Sequence, residues 1–92
     1  MKTSKKFSLG EYVVSRAGRD KDKVFIVTSI IDELYVTVAD GDLRRVENPK
    51  RKKGKHLNPI NKISEEIADK LNNNKKVTNL SVRREIEKLN EF

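Results

Sequence analysis

The chain contains no cysteine and only one histidine, His56, in 92 residues. Without cysteine it has no disulfides, no thiolate zinc sites and no cysteine nucleophile. A Ser-His-Asp triad would have to be built around His56. That residue lies in the basic run Lys53-Gly54-Lys55-His56, where neighbouring cations make it a poor general base. No glycine-rich phosphate loop is present. Aromatic residues are scarce, at 5%, so Tyr12 and Tyr35 are assigned to core packing ahead of base stacking. No apolar run is long enough to cross a bilayer. Met1-Lys2-Thr3-Ser4-Lys5-Lys6 carries charge without the apolar stretch of an export signal. These absences predict a cytoplasmic protein with no enzymatic activity, no cofactor or metal, no small-molecule substrate and no membrane partner.

Charge is what the chain has in quantity. Charged residues make up 38% and the formal net charge is +7. The excess is local. Residues 1–10 hold three lysines and no acid, and residues 11–43 hold four bases and seven acids. Residues 44–62 hold eight bases and one acid, whereas residues 63–92 hold six of each. A compact block of one sign repels itself, so a polyanion partner is a better explanation for it than solubility alone.

Hydrophobic patterning divides the chain in two. Glu11-Tyr12-Val13-Val14-Ser15-Arg16 is short and rich in β-formers, which predicts a strand. A polar loop follows, Ala17 to Lys23, with Gly18 as its turn residue. Val24 to Ile31 is apolar on both faces and β-branched, as in a strand covered on both sides. After an Asp32-Glu33 turn, Leu34, Val36 and Val38 alternate with Tyr35, Thr37 and Ala39, the period of a half-buried strand. Asp40-Gly41-Asp42 predicts a tight turn into a short strand over Leu43–Val46, stopped by Asn48-Pro49. Lys50 to Lys55 reads as an exposed basic loop, and His56–Asn58 as a closing strand before Pro59. Four or five short strands in about fifty residues suggest a small closed barrel, because closure removes open edges.

Beyond Pro59 the period changes. Ser64 can cap a helix opening on Glu65-Glu66, with Ile63, Ile67 and Leu71 on one stripe. Thr78 or Ser81 can cap a second helix striped by Val82, Ile86 and Leu89. Such short helices are marginal alone, so they are expected to fold onto each other or onto the barrel. A docking role for a protein partner is the alternative. The expected organisation is a basic N-terminal arm (1–8), a barrel (9–60) and a helical C-terminal extension (61–92), with the halves separable.

Residues 9–58 resemble a KOW motif with its completing strands. The resemblance is carried by Gly10-x-x-Val13-Val14 spaced to Gly18, by the apolar strand opening Val24-Phe25, by Asp40-Gly41-Asp42-Leu43-Arg44-Arg45, and by the Lys50-Arg51-Lys52-Lys53…Lys55-His56-Leu57 end. Its second half, Val38 to Arg45 and Asn48 to Leu57, is similar to KOW-type large-subunit ribosomal proteins of archaea and eukaryotes. It is more similar still to the short bacterial KOW-domain RNA-binding proteins related to them. The resemblance implies an SH3-like β-barrel that binds structured RNA, typically ribosomal RNA. It points by position to Arg16, Arg19 and Lys21 in the first loop, to Arg44 and Arg45, and to Lys50, Arg51, Lys52, Lys53, Lys55 and His56. Gly10, Gly18 and Gly41 are expected to serve turns. One departure stands out: Asp22 follows Lys21 where KOW sequences often carry glycine, and Asp20 and Asp22 leave that loop nearly neutral.

Several residues admit two roles. Gly18 either supplies a positive φ or lets the backbone approach a phosphate. His56 either bonds a phosphate or is capped and solvated. Arg44 and Arg45, adjacent on a strand, should point to opposite faces, so one of them pairs with an acid or stays solvated. With no interleaved aromatic and basic ladder, recognition of backbone and shape is expected over recognition of unpaired bases. The expected function is non-catalytic binding of structured RNA on or near the ribosome. The rival expectation is a protein-interaction barrel docking on a ribosomal protein or on transcription machinery.

Overall fold

The computed structural model describes residues 7–90. Five strands form one antiparallel sheet: β1 (Glu11–Ser15), β2 (Val24–Ile30), β3 (Tyr35–Ala39), β4 (Lys50–Lys53) and β5 (Leu57–Ile63). Two helices follow, α1 (Glu65–Asn72) and α2 (Asn79–Asn90). The strand order is β4-β3-β2-β1-β5, so consecutive β4 and β5 lie at opposite edges. A single short 3-10 helix, Gly54–His56, joins them. In a flat five-stranded sheet those edges would be roughly 19 Å apart, at ~4.8 Å per strand. The four steps from Lys53 to Leu57 reach at most about 14 Å. The sheet must therefore curl, although no backbone pairing joins β4 to β5 among the described residues.

Irregularities in the ladder supply the curl. The β1–β5 register shifts between Glu11 and Val13, where Asn61 of β5 adopts φ +66°. The β2–β3 register shifts between Val27 and Ser29. Such bulges bend a strand and sharpen its twist.

Both faces of the curled sheet are covered. Val13, Phe25, Val27, Val36, Val38 and Leu57 fill the concave side together with Phe7. Phe7 is thus a core residue and not part of a basic arm; residues 1–6 of that expected arm lie outside the described residues. On the convex side Tyr12 and Ile26 pack against Ile67 of α1 and Val82 of α2, with Leu71, Ile86 and Leu89 beside them. The two-sided burial expected of β2 has this origin. Fully burying Ile67 and Val82 contributes about 1.5–3 kcal/mol each, so the helices belong to the same packed unit as the sheet.

Two glycines set how closely the helices approach. A Cβ on Gly10 would lie 2.7–2.8 Å from Ala68 of α1, and one on Gly41 would strike the Asn79 carbonyl of α2. Both have positive φ, as does Gly18. Ser64 caps α1, its hydroxyl accepting from the Ile67 N–H at 3.3 Å and donating to Glu85 Oε1 at 2.6 Å. Tyr12 donates its hydroxyl to the Glu85 carbonyl. Burial works to raise the Glu85 carboxyl, but the Ser64 hydroxyl, the Lys88 ammonium and the charge of Lys70 hold it below its usual range. Thr78 caps α2, accepting from the Ser81 N–H at 3.1 Å.

Four sequence expectations are corrected here. Leu43–Val46 is not a strand: Asp40 Oδ1 accepts from the N–H groups of Asp42 and Arg44 and folds the segment into a turn, leaving Leu43 exposed. The basic run is not wholly a loop, because Lys50–Lys53 is the edge strand β4. Pro59 does not end the sheet, since β5 pairs on one side only and Pro59 needs no ladder donor on the other. Ile63 belongs to this strand and is exposed, so it is no part of the helix stripe.

Candidate nucleic-acid interface

Strand alternation sorts the basic run. In the β3–β4 register, Val36 faces Lys52 and Val38 faces Lys50, while Tyr35 faces Lys53 and Thr37 faces Arg51. Lys50 and Lys52 therefore turn toward the concave side. Lys52 is buried; its Nζ donates to Ser15 Oγ at 3.0 Å and to the Ala17 carbonyl at 3.3 Å. It also lies 3.9 Å from Asp20 Oδ2. The expectation that Lys52 contacts RNA is therefore corrected: a buried ammonium with three oxygens around it holds the first loop in place. Arg51 and Lys53 project from the convex side over Tyr35, at 4.6 Å and 5.9 Å from the ring centroid. Cations at these distances from an aromatic face attract it.

The two arginines of the Asp40 turn are not on a strand and do not act alike. Arg44 pairs with Asp20 at 3.4 Å and is partly buried. Arg45 pairs with exposed Glu47 at 3.0 Å. The Asn79 amide, a backbone N–H and Arg45 hold the Glu47 carboxyl down at about 2. Arg44 is thereby drawn into support of the first loop, where Asp20 faces two cations, Arg44 and Lys52. That cluster carries one surplus positive charge directly under the 3-10 helix Gly18–Asp20.

With Asp20 turned inward, the exposed side of the first loop presents Arg16, Arg19 and Lys21 against Asp22 alone. Its apparent neutrality in the sequence does not carry over to the surface. Asp22 has φ +71°, so the residue that replaces the expected glycine adopts the left-handed backbone a glycine would favour. The loop is tied to the β4–β5 turn. The Arg16 N–H donates to the His56 carbonyl at 2.7 Å, and the Arg16 guanidinium reaches the Lys55 carbonyl at 3.5 Å. Arg16, Lys55 and His56 thus form one rim that continues through Lys53 into the Tyr35 face.

Three groups escaped the sequence reading. Tyr35 is half-buried on the convex face and not in the core; its alternation with Val36 was the signal. Thr28, Ser29 and Thr37 join their hydroxyls at 2.6–2.7 Å. The β2 bulge permits this by bringing two successive side chains to one partner. Lys75 and Lys76, hidden by the zero net charge of residues 63–92, line a cleft of about 780 Å³ with that trio. Among the described residues no cluster of three or more metal-ligating side chains occurs, and no helix is long and apolar enough to cross a membrane.

No family model matches the chain, and no curated protein matches it.

Proposed function

We propose that the chain is a KOW-type RNA-binding protein, an SH3-like barrel with a helical brace, acting without catalysis on structured RNA, ribosomal RNA above all, in the cytoplasm. The barrel reading is supported by the short connection that carries the chain between opposite sheet edges and by the resemblance over residues 9–58. The observation that carries the RNA reading is the Arg51–Tyr35–Lys53 face continuing into the Lys55, His56 and Arg16 rim. Cations there meet phosphates, and the tyrosine offers a ring for a base. Crosslinking in cells, with sequencing of the bound RNA, tests the proposal. Recovery of ribosomal RNA fragments is expected, and recovery of no RNA above background would overturn it.

A second reading rests on a different observation. The β2–β3 tip exposes Ile30, Ile31 and Leu34 at 41%, 48% and 54%, which suits docking on a protein of the ribosome or transcription machinery. The helix stripes, offered to a protein partner on the sequence alone, are turned onto the sheet instead. Nuclease treatment before size fractionation separates the two readings: an RNA-bound protein leaves the large complex, and a protein-docked one stays.

A further inference from the structure

The cleft beside the Tyr35 face has an architecture of its own. Its floor is the convex side of β2 and β3 at Thr28, Ser29 and Thr37, and its walls include Val46, Pro49, Leu71 and Val77. Lys75 and Lys76, in the turn between the helices, also line it. A concave, mostly apolar space with a few convergent polar groups is the usual form of a small-ligand site. Here the polar groups are three hydroxyls gathered by a bulge, and each can donate or accept. The charged groups lining it are two cations against Glu47, whose carboxylate already accepts from Asn79 and Arg45. The cleft therefore favours an anionic ligand with a flat, weakly polar body.

Its position narrows the choice. Thr37 lies in register with Arg51, and Tyr35 is two residues along the same strand and face. That spacing is about 7 Å, close to the step of one extended nucleotide. We propose that the cleft takes one unpaired nucleotide of the bound RNA, with its base on the Thr37 hydroxyl trio and its flanking phosphate on Lys75 and Lys76. The neighbouring base then stacks on Tyr35. This inference rests on the RNA-binding reading above and extends it from duplex shape to an unpaired nucleotide.

Two oligoribonucleotide probes of equal length test it with the full chain. Each carries one 2-aminopurine, unpaired in the first and paired within a duplex in the second. The chain is expected to bind the unpaired probe more tightly and to change its emission. Ser29→Leu, which fills the cleft from the bulge, should abolish the emission change and weaken binding of that probe about ten-fold, within the range for losing one stacked base. Its binding to the duplex should not change. Lys75→Ala with Lys76→Ala alters only exposed side chains, so it leaves the fold intact; with the one phosphate they share lost, it should lower the magnitude of the log–log salt slope for the unpaired probe by about 0.7. Melting curves on the same samples check folding. If both variants bind like the unsubstituted chain with the same emission change, the cleft holds no nucleotide. A lysine effect without any emission change in the unsubstituted chain also overturns the base-binding claim. Arg51→Glu with Lys53→Glu separates the two levels. If it alone loses RNA, the general reading stands and the cleft fails; if it too binds normally, the general reading fails.

Discussion

Lys52 lies in the middle of the basic block, and charge counting alone would group it with Arg51 and Lys53. The structure predicts the opposite behaviour. Substituting Lys52 by Met keeps most of the buried stem but removes the ammonium. Ser15 Oγ and the Ala17 carbonyl each lose a donor, at about 1 kcal/mol apiece. Asp20 loses one of two cations. A buried carboxylate stripped of its only partner would cost about 3–5 kcal/mol, but Arg44 remains at 3.4 Å and Lys52 stood farther off at 3.9 Å, so only a fraction applies. The expected loss is about 2–3 kcal/mol, or roughly 10–20 °C in melting temperature for a domain of this size. Lys52→Glu should do worse, because it sets a second carboxylate against Asp20. Arg51→Glu with Lys53→Glu, on the convex face, should shift melting by only a few degrees while removing much of the RNA affinity. Thermal unfolding followed by circular dichroism, paired with RNA titration, checks both. A Lys52→Met variant that melts with the unsubstituted chain yet binds RNA less would refute the assignment of Lys52 to the loop support.

The remaining predictions concern the packed unit and its acid limit. Gly10→Ala should cost about 3 kcal/mol, combining the left-handed backbone with a clash against Ala68. Gly18→Ala, whose nearest neighbour would be Lys52 Nζ at 3.9 Å, should cost about 1–2 kcal/mol from the backbone alone; a reversed order of melting temperatures would contradict the placement of α1. A chain of residues 1–62 uncovers Tyr12 and Ile26 and loses burial of roughly 3–6 kcal/mol, comparable to the stability of a small domain. It should unfold or aggregate, and a monomeric truncation with a cooperative melt would show the helices to be dispensable. Glu85 and Glu47 both titrate below their ordinary value of 4.5, Glu47 at about 2. Their folded values are depressed, so the stabilisation is complete above about pH 4.5 and is lost as pH falls through the folded values. Glu85→Gln should therefore melt lower at neutral pH and lose less on acidification, and parallel acid limbs would contradict this.

What the sequence revealed depended on locality. β1 and β2 were legible from their short runs of β-forming and β-branched residues and β3 from its alternation, and α1 was legible from Ser64, Glu65 and the Ile67–Leu71 spacing. The positive φ at Gly18 and Gly41 followed from turn chemistry. β4 was missed because Lys50-Arg51-Lys52-Lys53 has no apolar period; it is a strand only through its ladder with β3. The same pairing brings Arg51 and Lys53 over Tyr35, an aromatic and basic arrangement that runs across strands and so is invisible along the chain. The inward turn of Lys52 and Asp20 is likewise a long-range fact, set by residues far apart in sequence. The packing of the two halves on each other was not legible, because the stripes of α1 and α2 find their partner in the convex face of the sheet, on Tyr12 and Ile26, far away in sequence.

The salt dependence of RNA affinity tests the central claim most directly. With about five phosphates contacted, the log–log slope of the unsubstituted chain should lie at roughly −3.5 to −4.5. Arg51→Ala with Lys53→Ala should reduce its magnitude by about 1.4–1.8 while the melting curve stays nearly unchanged. A flat salt response in the unsubstituted chain, or a slope that those two substitutions leave untouched, would contradict the Arg51–Tyr35–Lys53 face as the seat of RNA binding.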